Sequence, residues 1–401
     1  MDRSYSPEAR ARAKERLAAL AERAGSISDT LFILTLSQVA ALADNGHSGI
    51  IYRGSAPELG RVGLRLAPFG HDFVVVQAVA DQATLLGGRL VAIDGAPIST
   101  LREVAHTLTG GIASRRDQMA PLLFESPGQL QALGLARSAT QATYAFEMQD
   151  GRAREATLAV VSSPGGGGDQ TAEVLAPEAA PSGWRTLLGP DEAPWSLKEP
   201  GETMRRLDLP ALDAMVIQLR ANLDGARPIA TFLEEADAAR RAAGRSNVVL
   251  DMRANGGGDL TQTRDFMSDL PSRLPQAGRV VVLTSPWTFS AAISSIGYLK
   301  QAGQARVVLV GEAPGDRLRF WAEGRPIRLP HSGAMVLMAT QRHDYLTGCR
   351  GYSDCHEAVV THPIAVKTLD PEIAAPWTTS GYAAGRDPGM EAAARVLSRP
   401  R

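Results

Sequence analysis

The sequence predicts an α/β protein in three parts: an N-terminal helical region, a small β-rich domain and a larger α/β core. Two observations carry the core. From residue 185 onward, short runs of β-branched residues alternate with helical segments, the pattern of a mainly parallel sheet with crossover helices. Three of those runs end in turns rich in glycine or serine, which is where open α/β sheets hold ligands. A third observation carries the domain before it, where strands follow one another through tight turns with one clear helix.

Residues 1–60 read as mostly helical. "MDRSYSPEARARAKERLAALAERAG" is charged and amphipathic, and "LFILTLSQVAALA" repeats its apolar positions near helical spacing. Asp44-Asn45-Gly46 then stops the helix. Residues 61–163 form the β-rich domain. "VGLRLAPFG" and "DFVVVQAVA" pair through a turn, and "LLGGRLVAIDGAPISTLREVAHTL" gives a strand, an Asp-Gly turn and a helix. "ATYAFEMQDGRAREATLAVV" closes as a hairpin around Asp150-Gly151. Residues 164–184 open with "PGGGGDQTAEVLAPEAA" and read as a linker. Residues 185–401 form the core. Its strands are expected in "DAMVIQLRAN", "NVVLDMRANGGG", "RVVVLTSPWTFSAA" and "ARVVLVGEAPG", with "IATFLEEADAARRAAGR" as a helix.

Composition bounds the function. Apolar residues make up 44% and charged residues 21% of 401, and the net charge is -1. Such a balance offers no bulk field for nucleic acid or an anionic membrane, and the most apolar stretch is too short and polar to span a bilayer. No export signal is visible, so the expectation is either a mature periplasmic or secreted protein or a cytoplasmic one. Cys349 and Cys355 sit in the polar loop "GCRGYSDCHE". They form either a short loop disulfide, which would imply an oxidising compartment, or two free thiols. Their spacing is not that of a zinc knuckle, although His356 lies next door. No metal or organic cofactor is expected. Nothing in the sequence fixes the oligomeric state.

Two turns carry candidate chemistry. In "TSPWTFSAAISS" a buried strand ends and a helix starts near Ser290. A serine there most often caps the helix. It can also place its hydroxyl beside unpaired N–H groups that stabilise an oxyanion. In "DMRANGGGDL" three glycines follow a buried strand, an arrangement that costs conformational entropy and lets backbone approach a ligand. No Gly-Lys-Ser/Thr follows, so a nucleotide loop is disfavoured.

Together, "VVLDMRANGGG", "VVLTSPWTFSAA" and "VVLVGEAPG" resemble the core of the S41 serine peptidases, the C-terminal processing and tricorn-core type. "LDPEIAAPWTTSGYAAGRDPGMEAA" is similar to that family's closing segments, and "LLGGRLVAIDGAPI" resembles the PDZ-like domain that precedes the core. The resemblance implies an α/β spiral core, distantly like the crotonases. It implies Ser290 as nucleophile, with the N–H of Gly257, or of its neighbour Gly256, and that of Ala291 as the oxyanion hole. It also implies a peptide or protein substrate. The processing branch uses a Ser–Lys dyad, but "GEAPGDRLRF" places Asp316 and Arg317 where the lysine belongs, and an arginine stays protonated.

The base must then come from elsewhere, and histidine is the usual partner of a serine nucleophile. His47, in "ALADNGHSGI", resembles the Asp-Gly-His-Thr element of lysine-lacking members, with Ser48 as the supporting neighbour; on local sequence alone it reads as a polar turn residue. His331 and His343 are the runners-up. The third member of the set stays open among Ser48, Glu312, Asp354, Glu357 and Glu372. Two other readings stand beside a peptidase: a catalytically inactive binding or scaffold protein, supported by the missing lysine, and a crotonase-like acyl-transfer or thioester enzyme. The PDZ-like segment reads either as a peptide-binding module that works by strand addition or as a structural β-domain.

Overall fold

The computed structural model describes residues 3–52, 60–161 and 172–398. The glycine-rich part of the expected linker, residues 164–171, lies outside the described residues. The chain forms two compact units and passes between them more than once. The first comprises Met1–Gln170, Ala179–Gly189 and Phe320–Gln341; the second comprises Thr171–Glu178, Pro190–Arg319 and Arg342–Arg401.

In the first unit, helices α1 (Pro7–Arg23) and α2 (Asp29–Ala41) each start at a serine. Ser6 Oγ accepts from Ala9 N–H and Ser28 Oγ from Leu31 N–H, which satisfies a donor the helix start leaves over. Strand β1 (Gly49–Ile51) follows. Strands β2 (Leu64–Phe69) and β3 (Asp72–Val79) form an antiparallel hairpin turned at Gly70, whose φ of 63° suits glycine. Next come β4 (Arg89–Ile93), β5 (Ala96–Pro97) and α3 (Ile98–His106), then three short helices, α4 (Ala113–Met119), α5 (Pro121–Phe124) and α6 (Pro127–Ala132). Hairpin β6 (Gln141–Glu147) and β7 (Ala153–Ala159) turns at Gly151. Strand β8 (Trp184–Thr186) adds to β3, and the sheet runs β2-β3-β4-β6-β7. Its buried face holds Leu64, Val75, Leu90, Ile93 and Tyr144 against Leu101 and Phe124 from the helices.

The second unit is built on a six-stranded sheet. Strands β9 (Met204–Leu209), β10 (Ala214–Leu219), β11 (Asn247–Asp251), β12 (Val280–Thr284) and β13 (Val307–Gly311) are neighbours in sequence order. Only β9, at the edge, is antiparallel; β10 to β13 are parallel, and the two-residue strand Ile373–Ala374 extends them at the other edge. Every residue of β10, β11 and β12 is buried, which explains their unbroken apolar runs: a strand covered on both faces has no polar side to show. Helices α7 (Ile229–Ala242), α8 (Thr261–Arg273) and α9 (Ala291–Gly303) cross between them.

The helix Pro388–Leu397 packs Ala392, Ala393 and Val396 on Val216, Val249 and Val281 of the sheet. Burying a side chain of valine size contributes about 1.5–3 kcal/mol. Small residues bring α9 close to its neighbours: a Cβ on Gly297 would sit 2.9 Å from Ile364, and one on Gly303 would sit 2.3 Å from Val307. Strands Arg319–Ala322 and Gln341–Asp344 carry the chain out of the second unit and back. In the first unit, Met335–Leu337 pairs antiparallel with β1 and with Ile327–Arg328. No helix among the described residues is long and apolar enough to cross a membrane.

Candidate active site

The C-terminal ends of β11 and β12 meet in the second unit. Beyond β11 the chain makes a salt-bridged turn. Arg253 binds Asp251 and Asp387, with Nη1 2.7 Å from Asp387 Oδ1, and Ser196 Oγ donates to Asp387 Oδ2 at 2.6 Å. Burial alone would raise the Asp387 pKa, but the Arg253 charge and these hydrogen bonds hold it below the ordinary carboxylate range. The cluster fixes the root of the glycine loop to the helix Pro388–Leu397. Past β12, Thr288 Oγ1 donates to Met252 O and Ser285 Oγ to Arg253 O, so the turn after β12 is tied to the loop after β11.

Ser290 sits at the end of that turn. Residues 280–289 and 291–299 are buried, and Ser290 alone among 280–299 is half-buried. Its backbone lies at φ 55° and ψ -125°, a region that L side chains rarely occupy. Its side chain makes no capping bond to helix α9. Of the two roles the sequence allows, capping is therefore not the one the hydroxyl performs.

Gly257 lies directly against it. A Cβ on Gly257, at φ 104°, would stand 2.5 Å from Ser290 Cβ, 2.9 Å from Phe289 O and 3.1 Å from Ala291 N. Only a residue without a side chain permits this approach. The two backbone donors differ in state. Ala291 opens the helix, and among the described residues no acceptor takes its N–H. The Gly257 N–H is directed inward and donates to Asn255 Oδ1 at 2.9 Å. The exposed Gly256 N–H has no acceptor among the described residues.

The remaining candidates divide between the units. His47 and Ser48 belong to the first. They follow a tight turn in which Asp44 takes φ 48°, and Asn45 braces it: its side chain accepts from Trp321 N–H at 3.1 Å and donates to Ser48 Oγ at 3.1 Å. The His47 ring stacks on Phe320, 5.1 Å between centroids and 9° from parallel. His331 is exposed in a turn. His343 is buried, with Nδ1 2.9 Å from Tyr345 Oη, and stacks on His356. Lys300 is occupied by Glu372 and Val307 O, and Glu372 also accepts from Leu309 N–H. Asp354 is held by Arg342, and Glu357 opens the short helix Glu357–Thr361 on the surface. Glu312 follows β13, where burial pushes its carboxyl above the usual range. Cys349 and Cys355, left open by the sequence, form a disulfide.

Sequence reasoning missed Asn222. It is fully buried just past β10 and joins the glycine loop to the start of α9. Its one signal was its place, a polar amide at the C-terminal end of a buried parallel strand. The Asp251–Arg253–Asp387 cluster was likewise visible only as part of a motif.

No family model matches the sequence, and no curated protein matches it. Among solved structures, the chain is similar to mature CPAF complexed with lactacystin, at 14% identity and TM-score 0.57, over 97% of this chain and 91% of that one. Mature CPAF in another structure matches at 14% identity and TM-score 0.56, over 96% and 90%. The photosystem II D1 C-terminal processing protease overlaps more loosely, at 15% identity and TM-score 0.36, over 93% and 87%. The chain thus shares the fold of mature CPAF over nearly its whole length, in keeping with the S41-type fold expected from the sequence.

Proposed function

We propose that the protein is a serine peptidase that hydrolyses peptide bonds through an acyl-enzyme. The observation that carries the proposal is Ser290: a half-buried serine on a strained backbone, capping nothing, packed against Gly257 at a helix start. Strained strand-to-helix turns of this kind present nucleophiles above parallel sheets.

Ser290 Oγ attacks the substrate carbonyl. His47 takes the hydroxyl proton and returns it to the leaving amine. Ala291 N–H stabilises the tetrahedral oxyanion, with a second donor from the glycine loop. Gly256 offers that donor in the resting arrangement, whereas Gly257 N–H reaches an oxyanion only on release from Asn255. Water then cleaves the ester. Ser48, hydrogen-bonded to Asn45, supports the His47 turn. Among the carboxylates, Glu312 is the proposed third member, since Asp354 and Glu372 are engaged by Arg342 and Lys300 and Glu357 is exposed on the surface. Residues 61–163 enter the proposal as a PDZ-like module that captures peptide by strand addition. The disulfide supports a periplasmic or secreted location.

Labelling with a fluorophosphonate probe tests this. Wild type is expected to label, and Ser290→Ala and His47→Ala are expected to lose labelling with circular dichroism unchanged. An unlabelled wild type overturns the peptidase reading. Labelling that survives His47→Ala removes His47 as the base.

A further inference from the structure

We infer that Asn222 is a positioning residue for the Ser290 site, fixing the glycine loop against the first turn of α9. The inference rests on the reading of Ser290 as the nucleophile. Asn222 is fully buried, and each of its polar groups points to one of these two elements or to the helix between them. Its backbone N–H donates to Gly257 O at 2.8 Å, and its C=O accepts from Asp259 N–H at 2.9 Å, so the main chain clasps the glycine loop from both sides. Its side-chain Oδ1 accepts from Asn255 Nδ2 at 2.9 Å, and Asn255 Oδ1 in turn accepts from Gly257 N–H. Its Nδ2 faces Ser295 Oγ at 2.8 Å, Thr263 Oγ1 at 3.0 Å and Ala291 O at 3.2 Å, so two amide hydrogens are shared among three acceptors.

The orientation of the amide is fixed by its partners. Ala291 O can only accept, so Nδ2 must face it, and Oδ1 must face Asn255. One chain of amides thus runs from the Gly257 N–H to the carbonyl of Ala291. Thr263 Oγ1 and Ser295 Oγ, 2.7 Å apart, close it against α8 and α9. A closed polar network in a dry interior holds groups in one arrangement, because each lost bond leaves a buried group unsatisfied. The elements it joins carry the nucleophile and the oxyanion donors, where about 1 Å of misplacement costs about a hundredfold in rate.

The test compares Asn222→Ala with Ser294→Ala, which removes an equally buried bond on the same helix, to Tyr345 Oη at 2.6 Å, outside this network. Fluorophosphonate labelling is followed over a range of probe concentrations. Asn222→Ala is expected to lower the saturating rate about ten- to a hundredfold, with half-saturation within about twofold of wild type. Ser294→Ala is expected to lower the melting temperature while its saturating rate stays within about twofold. Thr263→Val removes one arm at nearly constant volume, and a smaller loss in the same direction is expected should Asn222→Ala not fold. Equal slowing in Ser294→Ala, or a wild-type rate in Asn222→Ala, overturns the inference.

Amide hydrogen exchange judges the network without any chemistry. Faster exchange in Asn222→Ala is expected across residues 255–260 and 289–295 and not over β9; a uniform change overturns the inference. A wild type that does not label, with this exchange pattern present, fails the peptidase reading and leaves the positioning intact.

Discussion

Replacing Gly257 by alanine tests the site at its tightest point. The added methyl would lie 2.5 Å from Ser290 Cβ, where two carbons rest about 3.5–4.0 Å apart. None of the three neighbours is the free end of a flexible chain: the others are Phe289 O and Ala291 N, both backbone. The overlap of about 1 Å must be relieved by moving the loop or Ser290 itself, and a shift of that size costs about a hundredfold in rate. The φ of 104° adds strain of about 1–3 kcal/mol for a residue with a Cβ. In a unit of about 150–250 residues, that lowers Tm by about 2–12 °C. The assay is stopped-flow labelling by a fluorophosphonate, with melting followed by circular dichroism. Gly201→Ala is the control, since nothing lies within 4 Å of its Cβ and its φ is ordinary. A Gly257→Ala protein that labels at the wild-type rate would refute the placement of Gly257 beside the reacting centre.

Three further outcomes are expected. Ser290→Gly should raise Tm relative to Ser290→Ala, since glycine relieves about 1–3 kcal/mol of backbone strain, while both variants lose labelling; equal Tm values count against strain at this position. Asp387 has a folded pKa below its unfolded value of about 3.9, so its stabilisation is complete above that value and is lost as pH falls through the depressed one. Melting from pH 7 to pH 3 should therefore show a steep acid limb in wild type and a flatter one in Asp387→Asn, with lower stability at pH 7 because a buried ion pair has lost a partner. Reducing the Cys349–Cys355 bond should cost about 2 kcal/mol, the loop-entropy value for so short a loop, read as a lower Tm in dithiothreitol that Cys349→Ser/Cys355→Ser reproduces without reductant.

How much of this was legible in the sequence depends on how local each cause is. Strands β10 to β12 announced themselves because burial on both faces demands unbroken apolar runs. Helices α4 to α6 did not, because Pro121 and Pro127 cut the segment into pieces too short to show a period. Residues 320–341 join the first unit through pairing of Met335–Leu337 with Gly49–Ile51. The strands are nearly three hundred residues apart, and no local pattern records such a pairing. Asn222 likewise depends on partners at 255, 263, 291 and 295 that only the fold assembles.

Ser290 is the instructive case. The sequence offered a cap and a nucleophile and could not choose, because the backbone angle that separates them is not written in the residue type. At φ 55° and ψ -125° a glycine would sit without strain, and a serine costs energy there. That cost brings no capping bond in return. Ser290 is half-buried in a stretch otherwise closed to solvent, beside an Ala291 N–H that no described residue accepts. A serine that is strained, caps nothing and stays half-buried beside an N–H with no described acceptor has little structural work left to do, and this is the argument for proposing it as the nucleophile.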